Sequence, residues 1–435
     1  SKEVAEQRVM KVLNGYLTQH HDAMVSNDVT VTANLCMFTR QQQGFLPALM
    51  QKMYNDRVVY KDRMLEAKQL AERETDPMSP ASMQLVKDIA RFHNLQMAKK
   101  IQLNSGYGAL ANIWNRWFYR EFAEGITSSA QLTTRWIEIH LNKYLNRLFK
   151  TNNVDYVIAC DTDSVYIRLD RLVDQVFTAE QQQDRVKVTR FLDKVCVEKL
   201  QPFIDNSYEE LAGYVNAFEQ KMKMKRECIA DKGIWTAKKH YILNVYNQEG
   251  VSYSTPKLKM MGIEAIRTST PQVCRTAIKD TLHVIMNKTE EDMQSFISDF
   301  QTKFMQMSFE QVAFPRSVSD MDTYSDPVTI FTKGTPINVK GSLIYNHQLK
   351  ARGLTNKYEP IASGQKIKFA YCIKPNPFRC SVIASPDKLP PEFGMDKYID
   401  RKLQFEKTYL EPIRKIVKSI GWSTEKRITI DDFFA

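Results

Sequence analysis

The stretch YVIACDTDSVYI, residues 156–167, constrains this chain more than any other. Apolar residues run up to Cys160 and resume at Val165, and Asp161 and Asp163 stand between them with only Thr162 separating the two. Two β-rich runs joined by a short polar turn predict a hairpin. Such a turn carries two carboxylates at one tip, where like charges repel unless something positive neutralises them. The residues alone leave two readings open. One is a plain surface turn, since Asp, Thr and Ser are ordinary turn formers. The other is a site for a hard divalent cation such as Mg²⁺, which takes carboxylate oxygens.

At 435 residues the chain exceeds one compact core and predicts two or three domains. Its net charge of +11 favours a polyanionic partner, nucleic acid ahead of an anionic membrane surface. No apolar run approaches the roughly 18 residues that span a bilayer, so no membrane anchorage is expected. The opening SKEVAEQRVMKVLN reads as a polar helix start and not as a secretion signal. Seven scattered cysteines without a Cys-x-x-Cys pair predict reduced thiols, a cytoplasmic setting and no zinc site. There is no His-Glu-x-x-His, no Gly-x-Ser-x-Gly and no phosphate loop ending in Gly-Lys-Ser/Thr.

Along the chain, residues 1–43 read as a short helix and then strands. Apolar spacing predicts a helix from Phe45 to about Arg73, a break at TDPMSP (75–80), and a second helix from about Ala81 to Trp114, together an antiparallel helical hairpin. A third helix is expected over roughly 125–149 and helix again over 178–218. WTAKKHYILNVY (235–246) reads as one strand and GVSYSTPKLKMMG (250–262) as its neighbour. Beyond Pro271, helical runs at 271–308 and 396–420 flank a Gly/Pro-punctuated middle with short strands such as QKIKFAYCI (365–373).

Three constellations carry chemistry. On the second helix Lys100, Asn104 and Tyr107 fall within an arc of roughly 60°, and Gly108 follows on the same face. A cation, an amide and a ring in line suit a nucleotide, and the bland alternative is a solvated lysine beside a core tyrosine. On the first helix Arg57 and Lys61 share a face and suit phosphates, or are surface charge balanced by Asp56 and Asp62. Strand alternation in 235–246 puts Lys239 and Tyr241 on one face and Lys238 with His240 on the other, which suits a nucleic-acid backbone or simply a half-buried edge strand.

Taken in order, these pieces resemble a family B DNA polymerase of T-even-type phages. Lys100-x-x-x-Asn104-Ser105-x-Tyr107-Gly108 is similar to the family's motif B, and Asp161-Thr162-Asp163-Ser164 to its motif C. Lys239-x-Tyr241 is similar to its duplex-holding motif, and KLKMMGIEAIRTSTP (257–271) to its palm–thumb junction. The resemblance covers about residues 44–271. It departs at Ala159-Cys160, where the family has Tyr-Gly; Cys160 is expected to face away from Asp161.

The resemblance implies an α+β fragment of the polymerase right hand: an N-terminal palm remnant (1–43), helical-hairpin fingers (44–112), an antiparallel palm sheet with helices (113–262), a mostly helical thumb (263–424) and a clamp-binding tail (425–435). It implies template-directed nucleotidyl transfer with two Mg²⁺ ions (Mn²⁺ as substitute), dNTP and primer-template DNA. Asp163 is then the shared metal ligand, Asp161 its acidic neighbour and Glu227 a further palm carboxylate. Arg57, Lys61 and Lys100 face the triphosphate, Asn104, Tyr107 and Gly108 the nascent base pair, and Lys238, Lys239 and Tyr241 the duplex. The tail, through Ile428, Ile430, Phe433 and Phe434, would dock on a sliding clamp. The family's second metal-binding Asp, in a motif shaped like Asp-x-x-Ser-Leu-Tyr-Pro-Ser, does not occur before residue 44, and neither do the exonuclease carboxylates. The expectation is the C-terminal subunit of a split polymerase, inactive until an N-terminal partner chain supplies that aspartate and the exonuclease, in host bacterial cytoplasm if phage-encoded. Two alternatives are a catalytically inactive DNA-binding relic and a nucleotide-sugar transferase using Asp-x-Asp. Retention of Asp161, Asp163, Lys100 and Tyr107 together favours the polymerase.

Overall fold

The computed structural model of the chain describes residues 21–425, with residues 7, 8, 11, 12 and 15 ahead of them. It divides into two compact units. The first comprises the described residues up to Asp231 with Val245–Lys257, and the second Lys232–Asn244 with the described residues from Leu258. Among the described residues no helix is long and apolar enough to cross a membrane.

In the first unit, helices α1 (Phe45–Ala71) and α2 (Pro80–Leu110) form the expected antiparallel hairpin. Pro80 stands in the first turn of α2 and the Ser79 hydroxyl accepts from the Ser82 N–H at 3.0 Å, so the second helix starts where its orphan donors are capped. Contacts run inversely along the pair. Lys99 Nζ meets Asp56 at 2.9 Å, and Gly106 lies where a Cβ would stand 2.7 Å from Met50 Sδ. The second helix stops at Leu110, short of the expected Trp114. Asn112 and Asn115 are responsible: each side chain accepts a backbone N–H two residues on, from Trp114 at 3.0 Å and Trp117 at 2.9 Å, and these local bonds compete with the helix.

Helix α3 (Arg120–Leu148) begins five residues earlier than expected. The short pair β1 (Val29–Val31) and β2 (Met37–Thr39) is joined by a segment that docks on it, Asn34 Nδ2 donating to the Glu121 carbonyl at 2.9 Å above Gly125. β3 (Val157–Asp161) and β4 (Ser164–Ile167) form the expected hairpin. Its buried side packs with α3 and with α4 (Gln201–Tyr214) around Ile137, Leu141, Leu145, Tyr156, Leu200 and Ile204. The helix expected over 178–218 is interrupted at its start. Thr178 and Gln181 bond each other's backbone, and Asp184 caps a new helix by accepting from the Lys187 N–H.

The single strand expected over 235–246 is two. β5 (Cys228–Ala237) and β6 (His240–Gln248) turn back at Lys238 and Lys239, and β7 (Val251–Met261) completes an antiparallel sheet of order β5-β6-β7. Lys239 has φ 62° without being Gly, Asn or Asp, so the usual hairpin residues are missing and the turn was silent in the sequence.

The second unit packs α5 (Gln272–Asn287), α6 (Glu290–Phe304) and the helical run 401–418 around Phe300, Phe304, Phe405 and Tyr409. Tyr409 OH lies 2.6 Å from Thr281 Oγ1. A sheet of β8 (Phe314–Ser317), β9 (Lys366–Tyr371) and β10 (Val382–Ser385) is covered by α7 (Ile337–Ala351), whose Gly341 lies against the backbone of Ala384.

Gly262 follows β7 at φ 70°, and a Cβ there would stand 2.4 Å from the Lys239 carbonyl oxygen. Gly262→Ala therefore meets both a left-handed backbone and a backbone clash, and is expected to cost at least about 2 kcal/mol. Gly364, at φ 92° with nothing within 4 Å, meets only the first, and Gly364→Ala should cost about 1 kcal/mol. Urea unfolding midpoints of the two variants check this; equal losses would remove the clash from the account.

Candidate active site

The hairpin pairs Asp161 opposite Ser164, leaving Thr162 and Asp163 as a two-residue tip. Thr162 has φ 57° and its carbonyl accepts from the Thr134 hydroxyl of α3 at 2.8 Å. The Thr162 hydroxyl donates to the Asp161 carboxylate at 3.1 Å. The Asp161 carbonyl accepts from the Asp163 N–H at 2.7 Å and the Ser164 hydroxyl at 3.1 Å. Cys160 and Val165, opposite one another, pack on the α3–α4 core. Alternation then sends Asp161 the other way, as expected from the sequence. Asp161 is half-buried and Asp163 exposed.

The donor set at this tip suits a hard dication: two carboxylates held one residue apart. Glu227 does not complete it. Among the described residues no three His, Cys, Asp or Glu side chains are grouped to hold a metal. Two ions would need oxygen donors beyond those gathered here.

On α2, Lys100, Asn104, Tyr107 and Gly108 are all exposed, and a Cβ on Gly108 would meet nothing within 4 Å. The face is open to a flat ligand. On α1, Arg57 is half-buried with its Nε lacking a hydrogen-bond partner, while Lys61 is ion-paired with Glu249. The charges that were expected to balance this face are otherwise engaged in part, Asp56 with Lys99.

Lys238, Lys239 and Tyr241 belong to the second unit, and their expected face alternation does not hold. The two lysines form the exposed β5–β6 turn, whereas Tyr241 is buried on β6 with its ring 6.3 Å from that of Trp235. A turn residue at positive φ breaks the period of two on which the alternation rested. Ile428, Ile430, Phe433 and Phe434 lie outside the described residues.

Sequence reasoning missed Thr134, Glu249 and Tyr208. Each acts across 28 or more positions of chain and has no local signature. The Tyr208 hydroxyl is pushed up to about 12, first by burial and then by the negative charges of Asp163 and Asp205. A tyrosine whose folded value lies above its ordinary 10 binds its proton more tightly folded than unfolded, so stability is complete below pH 10 and is lost as pH rises toward 12. Tyr208→Phe should remove that loss, gaining on the parent protein by up to about 2 kcal/mol between pH 10 and pH 12 and by nothing further below pH 9. Denaturant titrations of both proteins across that range check it; parallel curves would remove Tyr208 from the alkaline transition.

Residues 148–303 match the family model described as "Divergent Family B DNA polymerase". The chain is 32% identical over 351 residues to a protein of Enterobacteria phage T4, and 31% identical over 352 residues to one of Escherichia phage RB69, each called "DNA-directed DNA polymerase". Each match takes in 78% of this chain and 38% of the relative, so the chain spans well under half the length of the relatives it matches. Residues 148–303 are thus a divergent family B DNA polymerase domain, and over 78% of its length the chain is similar to the two phage enzymes.

Proposed function

We propose that the chain carries the nucleotide-selecting face and one carboxylate pair of a DNA-directed DNA polymerase that joins a dNTP to a primer 3′ end on a DNA template. The observation that carries this reading is the conjunction, in one chain, of a hairpin tip bearing half-buried Asp161 and exposed Asp163 with an exposed Lys100–Asn104–Tyr107–Gly108 helix face. Lys100 neutralises the triphosphate. Arg57, with an unsatisfied Nε, and Lys61, on release from Glu249, supply further cations. Asn104 and Tyr107 bear on the nascent base pair, and the bare backbone at Gly108 lets it approach. Asp163, with Asp161 beside it, would hold Mg²⁺, which when bound offsets the charge that develops on phosphoryl oxygens and the attacking hydroxyl. Lys238 and Lys239, at an exposed turn, meet duplex phosphates, with Tyr241 packed beneath as support. In this reading 44–112 are fingers, 113–262 palm and 263–424 thumb, residues 1–43 contribute to the palm, and Ile428, Ile430, Phe433 and Phe434 dock on a sliding clamp. The remaining metal-binding aspartate and the exonuclease come from polypeptide outside these 435 residues, on a partner chain.

Reconstitution tests the reading. The chain alone should bind primer-template weakly and extend nothing, and adding the partner polypeptide should restore extension in Mg²⁺. In the assembled enzyme Asp163→Asn should lower kcat at least about a thousandfold. Lys100→Ala should raise the KM for dNTP about tenfold and also lower kcat. Synthesis that survives Asp163→Asn would sink the assignment of the tip, and DNA binding without synthesis in every assembly would favour an inactive relic. Removal of residues 428–435 should leave short-primer extension intact and abolish clamp-stimulated processivity; unchanged processivity would refute the tail's role.

A further inference from the structure

Away from the aspartate tip, α3 and α4 line a half-open pocket of about 350 Å³ among Trp136, His140, Tyr144, Phe203, Glu210 and Tyr214, with Lys143 and Arg147 at its edge. The α3 residues recur at spacings of four, three, one and three, which keeps them on one helix face, and the α4 residues do the same. Rings dominate the walls. Tyr144 stacks on Phe203 with centroids 4.3 Å apart and planes 26° apart, and Trp136 stacks on His140 at 4.4 Å and 29°. Tyr214 meets Trp136 edge-on at 5.5 Å and keeps 38% of its surface exposed. The polar groups are unevenly placed. Trp136 Nε1 already donates to the Ser207 carbonyl at 2.9 Å, and Glu210 lies 3.9 Å from His140 Nδ1. Lys143 and Arg147, one turn apart at the Tyr144 end, are both exposed and enter no ion pair among the described residues.

We propose that this cavity binds a nucleobase joined to a phosphate, the phosphate on Lys143 and Arg147 and the base against the rings, with Glu210 accepting from an exocyclic amino group. Cations that meet phosphate oxygens and rings that stack on a base are how proteins hold nucleotides and single strands. The volume falls in the lower part of the range of small-ligand sites. A carboxylate at the base end selects adenine or cytosine, which present an amino donor, over thymine, which does not. The same chemistry is presented by a free nucleotide and by a single strand of DNA. The site shares no side chain with the proposed polymerase machinery and requires no metal, so its failure and the failure of that reading are separable.

The purified full chain in EDTA, which silences metal-dependent nucleotide binding, is titrated with dAMP, dTMP, inorganic phosphate and a short oligodeoxyadenylate. The expected order is dAMP tighter than dTMP, with phosphate weakest. Lys143→Ala with Arg147→Ala, both exposed and checked by thermal unfolding, should weaken dAMP about tenfold or more. Glu210→Gln should narrow the preference for dAMP over dTMP. Photolabelling with 8-azido-dAMP should modify peptides spanning 136–147 or 203–214. If oligodeoxyadenylate binds tighter than dAMP and loses that advantage in the double variant, the natural ligand is a strand; if not, it is a free nucleotide. Label confined to other peptides, dAMP affinity unmoved by the double variant, or phosphate binding as tightly as dAMP would each overturn the proposal.

Discussion

A threonine in the left-handed region, between two aspartates, is the constraint around which the first unit is arranged. A β-branched residue at φ 57° is costly, on the order of 1–2 kcal/mol, and persists only where its surroundings hold it. Here α3 does the holding, at both ends of the hairpin. At the base, Asn142 Oδ1 accepts from the N–H groups of Tyr156 and Val157 at 2.8 and 3.0 Å, and Asn146 bonds Val154 through both its amide atoms. At the tip, the Thr134 hydroxyl donates to the Thr162 carbonyl. From Asn142 back to Thr134 is about 12 Å along a helix, and from Val157 forward to Thr162 about 16 Å along a strand. The strand therefore runs against the helix with a contact at each end, and the position of the two carboxylates is fixed by one rod.

That arrangement gives α3 more than one task. Its first turns receive the β1–β2 connection through Glu121 and Ser129, its middle fixes the aspartate tip, and its last turns line the aromatic cavity with α4. Its buried stripe of Ile137, Leu141 and Leu145 is what makes these possible, because a helix locked by core packing does not rotate. Tyr208 on α4 closes the same core from the other side, and the charge of Asp163 adds to burial in holding the proton on its hydroxyl.

What the sequence made legible was whatever is signalled within a few residues. The helical hairpin was readable from apolar spacing and from Pro77 and Pro80, and the aspartate hairpin from apolar runs either side of Asp-Thr-Asp. That Lys100, Asn104 and Tyr107 share a face followed from helical geometry once the helix was assigned, whereas its exposure, Tyr107 included, is a finding of the structure. Three things were not readable. The β5–β6 reversal uses Lys238 and Lys239, which carry no turn signal, and the carbonyl of Lys239 is met by a glycine 23 positions later, Gly262. The end of α2 depended on asparagine side chains choosing their own backbone over the helix. The partner of Lys61 lies 188 residues away at Glu249. In each case a tertiary or side-chain contact outweighed a local preference too weak to decide the matter.

Charge shows the same division at the scale of one residue. The excess of 61 basic over 50 acidic side chains favours a polyanionic partner, but does not say which cations would meet it. Lys99 and Lys100 are adjacent and chemically identical. A helix turns about 100° per residue, so they point in different directions. Lys99 reaches Asp56 across the helical hairpin and holds its two arms together, whereas Lys100 is left exposed beside Asn104 and Tyr107. Shifting the register of α2 by one position would bring Lys100 into the place of Lys99, opposite Asp56, and Ile101 into the exposed place of Lys100. Gly106 suits the register present, since a Cβ there would stand 2.7 Å from Met50 Sδ and that side chain would have to shift. Position on the helix, and not residue type, thus decides which of two neighbouring lysines is tied to Asp56 and which is left exposed.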